Sequence, residues 1–527
     1  MYHNLLILFV INLLLASLTF LTHSMAGHGW LALEAPWLLL ALTLPSRGTR
    51  RRLAPWLAGV LSLLVLLAIL DALARLSLGR AFNPLLDTSL ARPAYHLMID
   101  NVGKFLTVTG LVVAAALWLM LTWGLTRLLA GARPLPVAAR HRAAIALMLV
   151  PLGAGLAPLT APAPLATPAL TLIERHWQQW RETHDTLSDF RRRLAERAAP
   201  ARALPGLAGH DVALTFIESY GVSALFDPRY APVLRPRLER LRRDFAAAGL
   251  HVASARLTAP VQGGQSWLAH GSVISGLWLT SQRHYDLLLA QGAPTLVDDF
   301  RLTGQRSVAI MPAITAPWPA GRRLGYDAIL DARNIPYQGP ALNWVTMPDQ
   351  YTWRFFADYR ERQARPLFAE LAMISSHAPW TPILPLLDDW DGLAGGGRFA
   401  SWADAGPSPE VLWQDPERVR HHYIRAIDYA LAAMGGFAER YLGKEALLIV
   451  LGDHQPAPLI TGEDASRDVP VHVISADPTL IRPFIAAGFK PGLMPPSDPA
   501  RWRQADFRGL LHRLFGAHRG AATPGSQ

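Results

Sequence analysis

The sequence predicts two kinds of structure in one chain: a multi-pass helical membrane anchor, then an α/β domain of α/β/α layering with a central, mostly parallel sheet. Three observations carry this. The 527 residues exceed one typical domain. Hydrophobic residues make up 51% and charged residues 17%, against a usual charged share of roughly 25%, and the apolar excess is concentrated in residues 1–160. Beyond about residue 208, apolar strand-like runs alternate with helical segments, the order that gives a parallel sheet covered on both faces.

A spanning helix needs about 20 mostly apolar residues. Five segments meet or approach that length: Leu5 to Leu21, Trp30 to Leu44, Leu53 to Leu70, Phe105 to Leu125 and Ala143 to Leu159. The second is short and carries Glu34. The opening MYHNLL has no Lys or Arg and no small-x-small cleavage site follows, so the first segment reads as a span rather than a signal peptide. Arg47, Arg50, Arg51 and Arg52 fill the second loop, and Arg127, Arg133, Arg140 and Arg142 the fourth. The positive-inside rule puts both loops, and the N-terminus, in the cytoplasm, and everything after Leu159 outside. Residues 161–207 follow as a Pro/Ala-rich stretch and a helix from Thr171 to Arg197. Its Trp177, Trp180 and arginines suit a membrane surface, with a solvated linker helix as the alternative. ARALPG marks the boundary before a domain spanning 208–520.

Net charge is +10, from 50 Lys+Arg against 40 Asp+Glu. The topology loops and the juxtamembrane helix absorb that excess, and no nucleic-acid-binding motif accompanies it, so nucleic acid is not an expected partner. The lipid bilayer is. There is no cysteine, which excludes disulfides, thiolate catalysis, iron–sulfur clusters and cysteine-based zinc sites.

In the second half, DVALTFIES, SVAIMPAI, LFAELAMISS, ALLIVLGD and VPVHVIS read as strands by apolar run and β-branched content. Helices are expected near Leu234–Leu250, His270–Trp278 and Arg418–Tyr441. Ligands of such sheets bind beyond the C-terminal strand ends. Glu218 follows one strand directly, and Asp453-His454 another. Two carboxylates and an imidazole make a mixed O/O/N set suited to zinc or manganese; a carboxylate alone at a strand end would be a turn or cap. In GGQSWLAHGSVISGL, two glycines permit a tight turn and Ser266 falls near a helix start. There it is either an ordinary N-cap or a hydroxyl beside an anion-favouring helix end. His377, in SSHAPW, is placed to contact a phosphate or protonate a leaving group, or is a turn residue. His472 reads as a strand residue near the site.

These segments, in this order, resemble the alkaline phosphatase/sulfatase superfamily, and within it the membrane-anchored lipoteichoic acid synthase-like phosphoglycerol and phosphoethanolamine transferases. The resemblance rests on FIESYG, GGQSWLAHGSVISGL, SSHAPW, LLIVLGDHQP and HHYIRAIDYALAAMGGFAERY, and covers roughly 208–515. It implies an alkaline-phosphatase-like α/β/α domain with one divalent metal, Mn2+ or Zn2+, held by Glu218, Ser266, Asp453 and His454. It implies Ser266 as nucleophile and His377 as a catalytic and substrate-contacting residue. NWVTMPDQYTW resembles a segment near the substrate, which assigns Trp344 and Asp349 to substrate binding. The implied activity is transfer of a phosphoryl-linked head group from a membrane phospholipid donor to a glycan or lipid acceptor through a phosphoserine, in the periplasm beside a bacterial inner membrane. Hydrolysis, with water as acceptor, is the enzymatic alternative, and a binding-only outer domain the non-enzymatic one.

The chain departs from the family in two places. Where the family has Glu-Phe, four and five residues after the nucleophile, it has His270 and Gly271. Ser266 also lacks the Pro-x-Arg context of a sulfatase. The absence of cysteine sets it apart from disulfide-stapled phosphoethanolamine transferases.

Overall fold

The computed structural model describes residues 2–142, 145 and 165–517, apart from 23–30, 44, 79, 137, 140–141, 143–144 and 198–199. The chain divides into two compact units, one of residues 1–76 and 80–186, the other of 77–79 and 187–527.

In the first unit, Tyr2–Leu21, Arg47–Leu78 and Lys104–Ala130 are helical and long and apolar enough to cross a membrane. The second expected span is shorter than its sequence segment: only Glu34–Thr43, ten residues, is helical. At 1.5 Å per residue that is about 15 Å, half a hydrocarbon core of about 30 Å. The cause is local. Glu34 starts this helix, and its carboxylate accepts the N–H groups of Ala169 and Leu170, at the beginning of the helix Pro168–Arg197. A carboxylate at a helix N-terminus is electrostatically favoured. The fifth expected span lies, but for Ile145, outside the described residues. The expected juxtamembrane helix runs continuously from Pro168 to Arg197, across the division between the units.

The second unit is built on one mixed sheet. Its longer strands are β1 (Asp211–Ile217), β2 (His251–Thr258), β3 (Arg306–Met311), β4 (Ala328–Asp331), β5 (Leu367–Met373), β6 (Ala446–Gly452) and β7 (Asp468–Ser475). The spatial order is β2-β7-β6-β1-β5-β3-β4, with short pieces Lys490–Pro491 and Trp502–Arg503 beside β2. β6, β1, β5, β3 and β4 are mutually parallel. β7 is antiparallel to both neighbours.

β1 lies between β6 and β5 in the parallel run, and its burial is nearly complete along its length. Its side chains alternate between two cores. Ala213 and Ile217 face one, built with the helices Ala231–Ala247, Asp349–Glu361 and Pro416–Tyr441. Val212, Leu214 and Phe216 face the other, with Leu296–Thr303, Pro478–Ala487 and Phe507–Phe515. Each fully buried Leu, Ile or Phe contributes about 1.5–3 kcal/mol of transfer free energy. The ends of β5, β1 and β6 are thereby clamped between two packed layers. Two expectations needed enlarging: β2 and β4 were not among the strands read from the sequence, and the helix expected at His270–Trp278 begins earlier, as Ser266–Ser275.

Candidate metal and phosphoryl-transfer site

Three neighbouring parallel strands end at one level. Ile217 of β1 pairs with Met373 of β5 and with Gly452 of β6. The next residues along, Ile374, Glu218 and Asp453, therefore share one edge. Gly452 is required there, since a Cβ would sit 1.9 Å from the carbonyl oxygen of Tyr220. Gln504 ties down the same turn by donating its amide to the carbonyls of Gly452 and Asp453.

One ligand atom each from Glu218, Asp453 and His454 lies within 4.8 Å of the others. Asp453 and His454 are buried. His454 Nδ1 is 2.8 Å from the carbonyl oxygen of Gln455. A carbonyl only accepts, so the proton sits on Nδ1 and the Nε2 lone pair is free. That lone pair faces Ser266 Oγ at 3.2 Å, Glu218 Oε1 at 3.5 Å and Asp453 Oδ2 at 3.6 Å. Among the described residues, no Lys or Arg forms an ion pair with either carboxylate. Burial, and then the neighbouring Glu218 charge, push the Asp453 carboxyl well above its usual range. A pocket of converging anionic oxygens and a lone pair has a deficit of positive charge. A divalent cation fits that deficit, and the O/O/N donor set suits zinc or manganese.

Ser266 reaches this cluster through backbone geometry. Gly263 and Gly264 have φ of 72° and 145°, and Gln265 has φ of 65°. The left-handed turn delivers Ser266 as the first residue of its helix. The residue in the cap position is Gln265, so Ser266 is not an N-cap; its hydroxyl lies 3.0 Å from Glu218 Oε2. Four non-glycine residues have positive φ among those described: Ser219, Gln265, Asn343 and Trp380. Three immediately neighbour Glu218, Ser266 and Trp344, and the fourth lies three residues beyond His377. Strain of this kind persists where the surroundings over-determine the backbone, and it clusters at functional sites.

His377 and Trp344 stack with ring centroids 3.7 Å apart and planes 10° from parallel. Both line a cavity of about 490 Å³ that also exposes Glu218, Ser266 and Asp453. Ser376 anchors the His377 loop by donating to the backbone carbonyl of Glu218. Asp349 is placed differently from its expected substrate contact. It is fully buried and outside the cavity lining. Its Oδ1 accepts the N–H groups of Ile374 and Ser375, and its own N–H bonds Ser375 Oγ. Through Oδ1, Asp349 shapes the loop that carries His377. His472 is likewise internal: its ring bonds Tyr220 Oη and Ser254 Oγ, and burial lowers its pKa to about 3.

The sequence reading missed Glu370. It sits inside β5, 2% exposed, and its carboxylate pairs with His270 Nδ1 at 2.8 Å and accepts the Tyr326 hydroxyl. Both His270 and Glu370 line the cavity. The signal was a charged residue in the run LFAELAMI, where burying an unpartnered charge is too costly to be incidental.

No family model matches this chain, and no curated protein does. Solved structures do. The lipoteichoic acid synthase LtaP from Listeria monocytogenes is similar over 62% of this chain and 78% of its own, with 12% identity and a TM-score of 0.40. The Streptococcus pyogenes phosphoglycerol transferase GacH, in complex with sn-glycerol-1-phosphate, is similar over 63% and 81%, with 12% identity and a TM-score of 0.38. The C-terminal periplasmic domain of EcEptC from Escherichia coli, in complex with Zn, is similar over 60% and 86%, with 13% identity and a TM-score of 0.38.

Proposed function

We propose that this chain is a membrane-anchored, divalent-metal-dependent phosphotransferase that moves a phosphoryl-linked head group from a phospholipid to a glycan or lipid acceptor through phosphorylated Ser266. The observation that carries the reading is the position of Ser266 Oγ, within 3.2 Å of both Glu218 and His454. A hydroxyl is inert at its ordinary pKa and needs activation. Here it faces two carboxylate-rich strand ends and the start of its own helix.

Glu218, Asp453 and His454 would hold the cation, with Ser266 beside it. Such a cation supplies Lewis acidity at the phosphoryl oxygens and lowers the serine pKa. Ser266 gives up its proton to Glu218 and Oγ attacks phosphorus. The first amides of the helix Ser266–Ser275 stabilise the phosphoryl charge. His377 protonates the departing alcohol oxygen. An acceptor alcohol, giving its proton to His377, then attacks the phosphoseryl group; Oγ leaves with the electron pair and takes back its proton from Glu218. Trp344 keeps the His377 ring flat and in place by stacking.

The anchor would confine the site to the surface that holds its lipid donor, raising effective concentration. Asn4 and the backbone of Arg133 exchange hydrogen bonds, so the first helix starts where the third long helix ends. With the loop 127–142, and so the N-terminus beside it, assigned to the cytoplasm, and with Ala143 to Leu159 taken as one further span, the enzymatic domain belongs in the periplasm of an inner membrane. The test is product analysis of the purified full-length protein with head-group-labelled phosphatidylglycerol and Mn2+ or Zn2+. Transfer leaves the label on an acceptor and is lost in Ser266→Ala. Free glycerol phosphate alone would make the protein a hydrolase, and full activity of Ser266→Ala would remove the nucleophile assignment.

A further inference from the structure

The cavity that opens on Ser266 is polar where it meets the metal cluster and apolar over much of the rest. Glu218, Ser266 and Asp453 stand at the first end, and Ile274, Met311, Ile314, Trp318, Leu324 and Met373 build the wall beyond them. These six come from the helix Ser266–Ser275, the end of β3 and the loop after it, the helix Pro319–Leu324 and the end of β5. Ile274, Met311, Leu324 and Met373 are buried, so this is interior carbon surface that the fold assembles from several elements around a space.

Much of the polar part of that wall is spent. Trp267 Nε1 donates to Gln282 Oε1 at 2.8 Å, and Gln282 Nε2 to Asp286 Oδ1 at 2.8 Å. Glu370 bonds His270 Nδ1 through one oxygen and the Tyr326 hydroxyl through the other. A hydroxyl or ammonium carried into this space would exchange water for aliphatic carbon and indole, which is unfavourable. No Lys or Arg lines it, so a second anionic group would find no counter-charge. The volume is about 490 Å³, within the roughly 300–1,000 Å³ of pockets that bind small molecules through a mostly apolar lining and a few convergent polar groups.

We infer that this cavity is the specificity pocket of the site and that it selects a hydrocarbon arm on the phosphoester, in preference to a small polar head group. Phosphorus stands at the metal end, and the arm lies against Ile274, Met311 and Leu324. Three helices of the same chain are long and apolar enough to cross a membrane, so the phosphoester within reach that carries such an arm is a membrane lipid. The acyl-bearing alcohol is then the side held in the cavity. His377 lines the same cavity, which sets the departing alcohol beside its proton donor and leaves the head group weakly read. The inference rests on the phosphotransfer reading only for placing phosphorus at Ser266.

The test uses binding, so that it does not depend on turnover. Full-length Ser266→Ala in detergent, loaded with Mn2+, is titrated by calorimetry with methyl phosphodiesters whose second arm is ethyl, butyl, hexyl or 6-hydroxyhexyl. Affinity should rise about fourfold per added methylene, as burial of each predicts. The terminal hydroxyl should cost about 10-fold against hexyl. Ala313, on the cavity wall, offers the control: Ala313→Trp should fill the space, flatten the rise with chain length and leave the ethyl ester unchanged. Partition into detergent would act on both proteins alike, so the difference between them is the readout. Should Ala313→Trp fail to fold, Ile314→Ser must lower the gain per methylene. Affinity independent of chain length, tighter binding of the hydroxyhexyl ester, no binding of any ester, or a rise that survives these wall substitutions overturns the inference. A chain-length dependence that the wall controls, in a protein whose wild type transfers no phosphoryl group, would instead overturn the phosphotransfer reading alone.

Discussion

Two buried carboxylate clusters in the second unit contrast in how their charge is met. Around Asp299, the Arg508 guanidinium makes two hydrogen bonds of 2.7 and 2.9 Å, and His512 and the Arg202 N–H complete the shell. Around Asp453, a second carboxylate and a lone-pair nitrogen crowd in with no guanidinium. Both aspartates are buried. His512 and Arg508 outweigh burial and hold the Asp299 carboxyl below its ordinary pKa, whereas burial and Glu218 drive Asp453 the other way. The first cluster carries its own counter-charge; the second leaves a deficit that a divalent cation would fit.

The sharpest way to break this contrast is at Ser266. Ser266→Ala should lower turnover by roughly three orders of magnitude or more, as loss of a covalent nucleophile does, with thermal stability unchanged by differential scanning fluorimetry. The next effect falls on the other cluster. Asp299→Asn leaves Arg508 buried without its counter-ion, which costs about 3–5 kcal/mol of stability, measured by denaturant unfolding of the full chain. Metal content, by mass spectrometry, should not change in that variant. A loss of metal instead would mean that the two clusters are not independent.

A smaller effect separates the deficit directly. Saturating Mn2+ or Zn2+ at about 100 times Kd should stabilise the metal-free protein by about 2.7 kcal/mol, and Asp453→Asn should lose that response. The smallest effect is in pH. Asp299 has a depressed folded-state pKa, so its contribution is present above the unfolded value, about 3.9, and is lost as pH falls through the folded value. Acid unfolding of wild type should therefore steepen below about pH 4, and Asp299→Asn should flatten that region. An unchanged acid limb would deny the Arg508–Asp299 pairing.

The legible parts of this molecule were those where one residue type has one physical meaning. The mostly apolar runs of β1, β5 and β6 read as buried strands, and the polar residues that follow them were open to inspection. Ser266 was legible as a position because Gly263-Gly264 forces a turn. What it bonds to was not, since a serine at a helix start has two readings until Glu218 lies beside it. β2 escaped because HVASARLT mixes His251, Ser254 and Arg256 into its pattern, and its partner β7 makes it buried through an antiparallel pairing no local signal specifies. Asp349 looked like a substrate residue by neighbourhood in the chain, yet its Oδ1 accepts backbone N–H groups 25 and 26 residues away. Glu370 was hidden for a similar reason: its partner His270 is 100 residues distant.

The central claim is that the unbalanced cluster activates the Ser266 hydroxyl toward phosphorus. Acid-quenched intact mass spectrometry of the full-length protein, after brief exposure to Mn2+ and phospholipid donor, tests it most directly. A single head-group phosphate adduct that maps to Ser266, and that disappears in Asp453→Asn, is the expected result. No adduct during active turnover, or one mapped to another residue, would contradict it.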